Sequence, residues 1–229
     1  MCAPLAWAKN NQYGTLAYHD VVDEAGSIYH QVKTSEQTPK SDILKAYYPQ
    51  TISKKTLISH FNWLKSNGYN VVSWQDILDS QTGKKTLPDK AVLLTFDDGY
   101  ESFYRIVYPL LKEYNYPAVF AVVTSLLDQA PNSMVVFGDT RIARGAFVTW
   151  PQIKEMSDSG LVEIASHTHN MHRAIKANPG GSAYPAVFSA QYAQGRYESP
   201  ADYHQRLQAD VKLSGERIKQ HTGKFPDVL

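Results

Sequence analysis

Disulfide bonds cannot shape this fold, because cysteine occurs once, at Cys2, and a single thiol closes no internal bridge. An excess of either charge is also missing. Lys and Arg total 23 against 22 Asp and Glu, for a formal net charge of +1. That balance gives no electrostatic footing for nucleic acid or an anionic membrane surface, and a neutral partner fits it better. No apolar run approaches the roughly 20 residues that a membrane-spanning helix needs. Low-complexity tracts and internal repeats are lacking too. What remains is a chain of 229 residues, 43% hydrophobic, enough to bury one substantial core. Aromatic residues make up 12%, with 15 Tyr and 4 Trp, and such rings suit sugar faces as well as core packing.

Residues 1–12 read as a segment apart from the domain expected over 13–229. Cys2-Ala3-Pro4-Leu5-Ala6-Trp7-Ala8 is apolar and rich in small residues, and Ala6-Trp7-Ala8 has the form of an export-signal cleavage site. A second reading makes Cys2 the lipid-bearing first residue of a lipoprotein, and a third is a plain loose terminus.

Apolar strands alternate with helices along the rest of the chain. Gly14-Thr15-Leu16-Ala17-Tyr18 reads as a strand that ends at His19-Asp20, and residues 22–52 as a long polar loop. Ser53 is a plausible cap for a helix carrying Leu57, Phe61 and Leu64 at helical spacing, with Asn67-Gly68 as its stop. His60 is expected at the core or its boundary. A strand over 69–73 and a short helix over 74–78 follow. Ala91-Val92-Leu93-Leu94-Thr95-Phe96 is apolar without alternation, as in a strand buried on both faces of a parallel sheet, and it ends in Asp97-Asp98-Gly99. A helix over 101–114 and a strand over 118–123 continue the βαβ order. Residues 125–148 show little periodicity. A helix opening at Trp150-Pro151, a strand over 161–165 and a second irregular stretch to Glu198 come next, and Ser199-Pro200-Ala201-Asp202 opens a last helix. This alternation predicts an α/β fold with a mostly parallel sheet, whose ligand site lies at the carboxyl ends of the strands. Three strands end there in ionisable residues: His19-Asp20, Asp97-Asp98, and the cluster His167, His169, His172.

Those residue types can assemble a metal centre. Neutral imidazole is the commonest metal ligand. Two imidazoles with one carboxylate leave coordination positions open, where a divalent ion lowers the pKa of bound water towards about 7. Adjacent aspartates after a buried strand point in different directions, so one can bind the cation while the other serves as a base. Period-two alternation would pair His167 with His169, whereas His167 with His172 needs the loop to curl back. His30, His204 and His221 read as surface positions.

Thr95-Phe96-Asp97-Asp98-Gly99 and His167-Thr168 with a later histidine resemble the first two motifs of the polysaccharide deacetylases, carbohydrate esterase family 4. The likeness is greatest to the PgaB-type group that acts on poly-β-1,6-N-acetyl-D-glucosamine, whose second motif, H-T-x-N-x-H, is matched by His167-Thr168-His169-Asn170-Met171-His172. The resemblance implies a distorted (β/α) barrel of the NodB-like type. It implies that Asp98, His167 and His172 hold one divalent metal ion, with zinc, nickel, cobalt and iron all eligible, and that Asp97 is the base. Tyr18-His19-Asp20 matches a rearranged N-terminal motif of the group and implies His19 as general acid. Trp150, Tyr184, Tyr192 and Tyr197 are candidates for stacking on the sugar, with core packing an equal reading for each.

The group further implies an N-acetylglucosamine polysaccharide as partner, an outer-membrane tether and export machinery, a periplasmic setting in a Gram-negative bacterium, and a role in biofilm exopolysaccharide. Gly223-Lys224-Phe225-Pro226 reaches the threshold of the family's third motif without containing it. The expectation is therefore a domain whose C-terminal part is missing. Two alternatives to the deacetylase follow: a catalytically impaired polysaccharide-binding module, or a deacetylase of peptidoglycan or chitin.

Overall fold

The computed structural model describes residues 11–23, 50–138 and 140–229. The expectations for Cys2, Ala6-Trp7-Ala8, His30 and most of the 22–52 loop lie outside the described residues. Along the chain the strands are β1 (Gly14–Tyr18), β2 (Asp20–Val22), β3 (Thr51–Ser53), β4 (Asn70–Val71), β5 (Ala91–Phe96), β6 (Ala118–Val122), β7 (Met134–Phe137), β8 (Thr140–Ala143), β9 (Val162–Ser166), β10 (Ala174–Lys176), β11 (Ala183–Pro185), β12 (Tyr192–Ala193) and β13 (Arg196–Tyr197). The helices are α1 (Lys54–Ser66), α2 (Trp74–Gln81), α3 (Tyr108–Tyr114), α4 (Thr124–Leu127), α5 (Trp150–Asp158) and α6 (Pro200–Thr222).

The central sheet is parallel throughout, with β1, β5, β6 and β9 side by side in that order. Asn70 of β4 pairs with Ala91 at the start of β5, while Phe120 of β6 pairs with Phe96 at its end. β4 and β6 therefore share one edge of β5, and β1 takes the other. Among the described residues this sheet is open, running from β1 to β9. The parallel α/β class expected from the sequence is the one observed.

The unbroken apolar run of β5 has a clear cause, since both of its faces are covered. Val92, Leu94 and Phe96 join the larger core with Phe61 of α1, Leu111 of α3, Ile153 of α5 and Ile218 of α6. Ala91 and Leu93 turn the other way, to Ile77, Leu87, Val119 and Ala121. Phe103 and Phe120 stack in the larger core with ring centroids 3.9 Å apart. Burying rings of this size stabilises the fold by roughly 1.5–3 kcal/mol each.

Local signals also hold. Ser53 Oγ accepts the Thr56 N–H at 3.0 Å, and Ser199 Oγ accepts that of Asp202 at 3.1 Å, contacts of about 1 kcal/mol each. His60 departs from expectation: it lies at the edge of the Leu57–Phe61–Leu64 stripe and is exposed, its Nδ1 3.2 Å from the Tyr18 hydroxyl. The two stretches expected to be irregular contain short antiparallel pairs, β7 with β8, β10 with β11 and β12 with β13. Strands of two to four residues are too short to display a period-two pattern. The expected helix over 101–114 holds a π-helical turn, Phe103–Val107, ahead of α3.

Candidate metal centre

Three strand ends converge. The turn after β5 carries Asp98 at φ 74° and Gly99 at φ 81°, both in the left-handed region. Gly99 is needed there, because a Cβ would combine an unfavourable φ with an approach of 3.4 Å to Val122 Cγ1. Backbone bonds fix the turn on both sides: the Asp97 N–H donates to Tyr18 O at 2.9 Å, and the Val148 N–H to Gly99 O at 3.0 Å. From this turn Asp98 Oδ1 lies 3.5 Å from His167 Nε2 and 3.2 Å from His172 Nε2. One donor atom from each of the three residues falls within 4.8 Å of the others.

The histidine loop curls back. Simple alternation would have paired His167 with His169, but Thr168 sits at φ 71° and breaks the extended path. Thr168 Oγ1 then accepts the Met171 N–H at 3.1 Å. His169 is turned to Thr124, its Nδ1 2.9 Å from Thr124 Oγ1, and His172 takes the place beside His167. The ring of Phe137, at the end of β7, stacks on that of His172 at 4.7 Å and 12°.

Burial acts on the three groups in two directions, against the charged carboxylate and for the neutral imidazoles. Asp98 is 2% exposed, and burial pushes its carboxyl up to about 6, with His167 and then His19 opposing. Burial pushes His167 and His172 down, which favours neutral imidazole. Asp98 Oδ1 and His172 Nδ1 are buried with no hydrogen-bond partner. A buried carboxylate oxygen without a donor, facing two imidazole nitrogens, has the unmet need that a divalent cation would satisfy, so the residues fit a metal ion.

His19 and Asp97 are both half-buried and lie within electrostatic reach of Asp98, His167 and His172, so both stand near the triad. The neighbouring Asp20 is buried, with burial pushing its carboxyl up. It accepts from Ser102 Oγ at 2.7 Å and Thr51 Oγ1 at 3.5 Å.

Trp150 is already engaged: its indole N–H donates to Asp128 at 3.1 Å and its ring stacks on His221 at 4.1 Å. Tyr184 and Tyr197 are exposed, and Tyr197 meets Tyr192 edge-on at 5.0 Å. Sequence reasoning missed Phe137, Thr124, Ser102 and Asp210, whose carboxylate accepts from the His169 and Asn170 N–H groups. None of the four carries a short-range signal, because each meets the site only through the tertiary fold.

Fold and site together define a parallel α/β domain bearing a candidate mononuclear metal centre of two imidazoles and one carboxylate, set at the carboxyl ends of the strands. The polysaccharide deacetylase family matches residues 84–229, and the chain belongs to that family. It is 37% identical over 223 residues to the poly-β-1,6-N-acetyl-D-glucosamine N-deacetylase of Escherichia coli (strain K12), covering 96% of this chain and 30% of that protein. The chain thus spans less than a third of that relative's length. Among solved structures, a de-N-acetylase from Aggregatibacter actinomycetemcomitans superposes with a TM-score of 0.81 at 51% identity, over 93% of this chain and 76% of its own. The BpsB deacetylase domain from Bordetella bronchiseptica gives 0.78 at 37% identity, over 96% and 79%.

Proposed function

We propose that this chain removes N-acetyl groups from poly-β-1,6-N-acetyl-D-glucosamine by metal-dependent hydrolysis. One observation carries the reading: Asp98, His167 and His172 offer ligand atoms within 4.8 Å of one another, beside a second carboxylate and a further histidine. The substrate follows from the name of the curated relative, with which the likeness runs along 96% of this chain.

A divalent ion held by Asp98, His167 and His172 would supply Lewis acidity to the acetamide carbonyl and lower the pKa of an attacking water. Asp97 takes the proton from that water as its oxygen bonds to the carbonyl carbon. His19 then gives a proton to the nitrogen as the C–N bond breaks. The products are acetic acid, which releases its proton to become acetate, and a free glucosamine amine; Asp97 ends with one proton more and His19 with one fewer, and exchange with water restores both, so atoms and charge balance. Burial of Asp98 keeps the ligand carboxylate dry and leaves the half-buried Asp97 as the one that reaches substrate. Tyr184, Tyr192 and Tyr197 are the aromatic candidates for stacking on neighbouring sugars. A periplasmic setting, with a tether and export partners, goes with this reading, and its support is the apolar pattern around Cys2 and the substrate itself.

The test is acetate release from β-1,6-linked N-acetylglucosamine oligomers with added divalent metal, run beside chitin and peptidoglycan oligomers. Release from the β-1,6 oligomers above the other two supports the proposal. Oligomer binding with no acetate at any metal concentration would point instead to a polysaccharide-binding module.

A further inference from the structure

We propose that Asp210 is a positioning residue for the metal centre, setting the loop between His167 and His172 so that His172, and not His169, completes the ligand set. The inference rests on the metal reading of Asp98, His167 and His172 given above.

Asp210 reaches the loop from the middle of α6, and its two carboxylate oxygens accept the His169 N–H at 2.7 Å and the Asn170 N–H at 2.8 Å. Those two amides lie between the two histidine ligands in sequence. Bonds to an ionised acceptor are about twice as strong as neutral ones, and a bidentate pair also fixes direction. The same loop is also held by α4: Thr124 N–H donates to Thr168 O at 3.2 Å and Ser125 N–H to His169 O at 3.0 Å. Amides held by one helix and carbonyls by another leave the peptides at 168–170 little freedom. That grip stabilises the left-handed Thr168, which reverses the alternation and sends the His169 ring to Thr124 Oγ1.

Helix α6 is itself tied beneath the site. Ser214, four residues after Asp210 and so on the same helical face, is fully buried and accepts a bond of 2.7 Å from Ser166 Oγ at the end of β9. Gly215 lets α6 close on the ring of Phe225, where a Cβ would come within 2.3 Å. Asp210 is therefore presented by a helix docked on the strand that delivers His167, which makes it a rigid reference for the loop.

Without the carboxylate, both amides lose their acceptor, the curl at Thr168 loses its hold, and His169 becomes able to compete for the ion. A group that only staples the fold would behave otherwise, lowering stability while the folded fraction bound metal as before.

The experiment measures cobalt(II) affinity of the whole chain by chelator competition, with the visible absorption of the bound ion as a second readout and circular dichroism to confirm folding. Asp210→Ala and the isosteric Asp210→Asn are expected to weaken binding by about 10- to 100-fold, the range seen when partners of metal ligands are removed. Asp210→Glu should recover part of the loss. His169→Ala should leave affinity within about twofold in the native background, yet weaken it further and shift the cobalt spectrum in the Asp210→Ala background. Native affinity in folded Asp210→Ala and Asp210→Asn, or a silent His169→Ala in both backgrounds, overturns the proposal. Failure of the unsubstituted chain to bind cobalt overturns the metal reading itself, a separate outcome.

Discussion

Replacing Asp98 by Asn should make the metal-free protein more stable while it destroys metal binding. Asp98 is 2% exposed, and burial raises its carboxyl from 3.8 to about 6. At about 1.4 kcal/mol per pH unit, keeping that group ionised in the folded chain costs up to roughly 3 kcal/mol at neutral pH. The sign follows from proton binding. A raised carboxyl holds its proton better when folded, so the penalty is absent below 3.8, grows as pH rises, and is complete above about 6. Asparagine removes the ionisation, tolerates the left-handed backbone at this position, and can donate its amide towards His172 Nε2. Urea unfolding of chelator-treated protein should therefore show a midpoint about 1 M higher for Asp98→Asn at pH 8, taking a slope of roughly 3 kcal/mol/M. The gain should fall to about half at pH 5. Adding metal should reverse the order, because only the native chain gains binding energy. A metal-free Asp98→Asn less stable than the native chain at pH 8, or an equal gain at both pH values, would refute the reasoning.

Other expectations follow from the same geometry. Asp97→Asn should lower acetate release by about 10²- to 10⁴-fold while metal content stays at one per chain, since general-base catalysis contributes on that scale; loss of the metal as well would make Asp97 a ligand. His19→Gln should act on kcat with metal affinity unchanged, and a normal rate would remove it from the mechanism. Metal affinity should rise with pH through about 6, as Asp98 gives up its proton, and level off by about 7, because burial holds His167 and His172 below their ordinary value; a calorimetric pH series whose rise is centred above 7 would contradict this. Gly99→Ala should cost about 1–2 kcal/mol from the left-handed backbone alone, a fall of roughly 2–8 °C in Tm, and an unchanged melting curve would show that the turn relaxes freely.

Much of this arrangement could be read from the sequence because parallel strands buried on both faces write themselves as apolar runs. The β5 run ending in Asp97-Asp98-Gly99 and the β9 run ending in His167 announce both a strand and the side chains at its carboxyl end. The choice between His169 and His172 could not be read from spacing alone. It depends on a left-handed Thr168 and on Asp210, about 40 residues away on α6, and only the family motif pointed to His172. Phe137 was invisible because β7 and β8 are too short to carry a pattern, and it meets His172 only once that hairpin folds over the site. For Trp150 the sequence left sugar stacking and core packing both open, because its contacts, an N–H bond to Asp128 and a ring stacked on His221, arise only when α5 packs near α6.

The central claim is that one divalent ion on Asp98, His167 and His172 drives amide hydrolysis. Acetate release from β-1,6-linked N-acetylglucosamine oligomers, followed as chelator-stripped protein is titrated with metal, tests it most directly. No acetate is expected before metal is added, and then a rise that breaks at one equivalent per chain. Release that needs no metal, or that persists in Asp98→Ala, would contradict it.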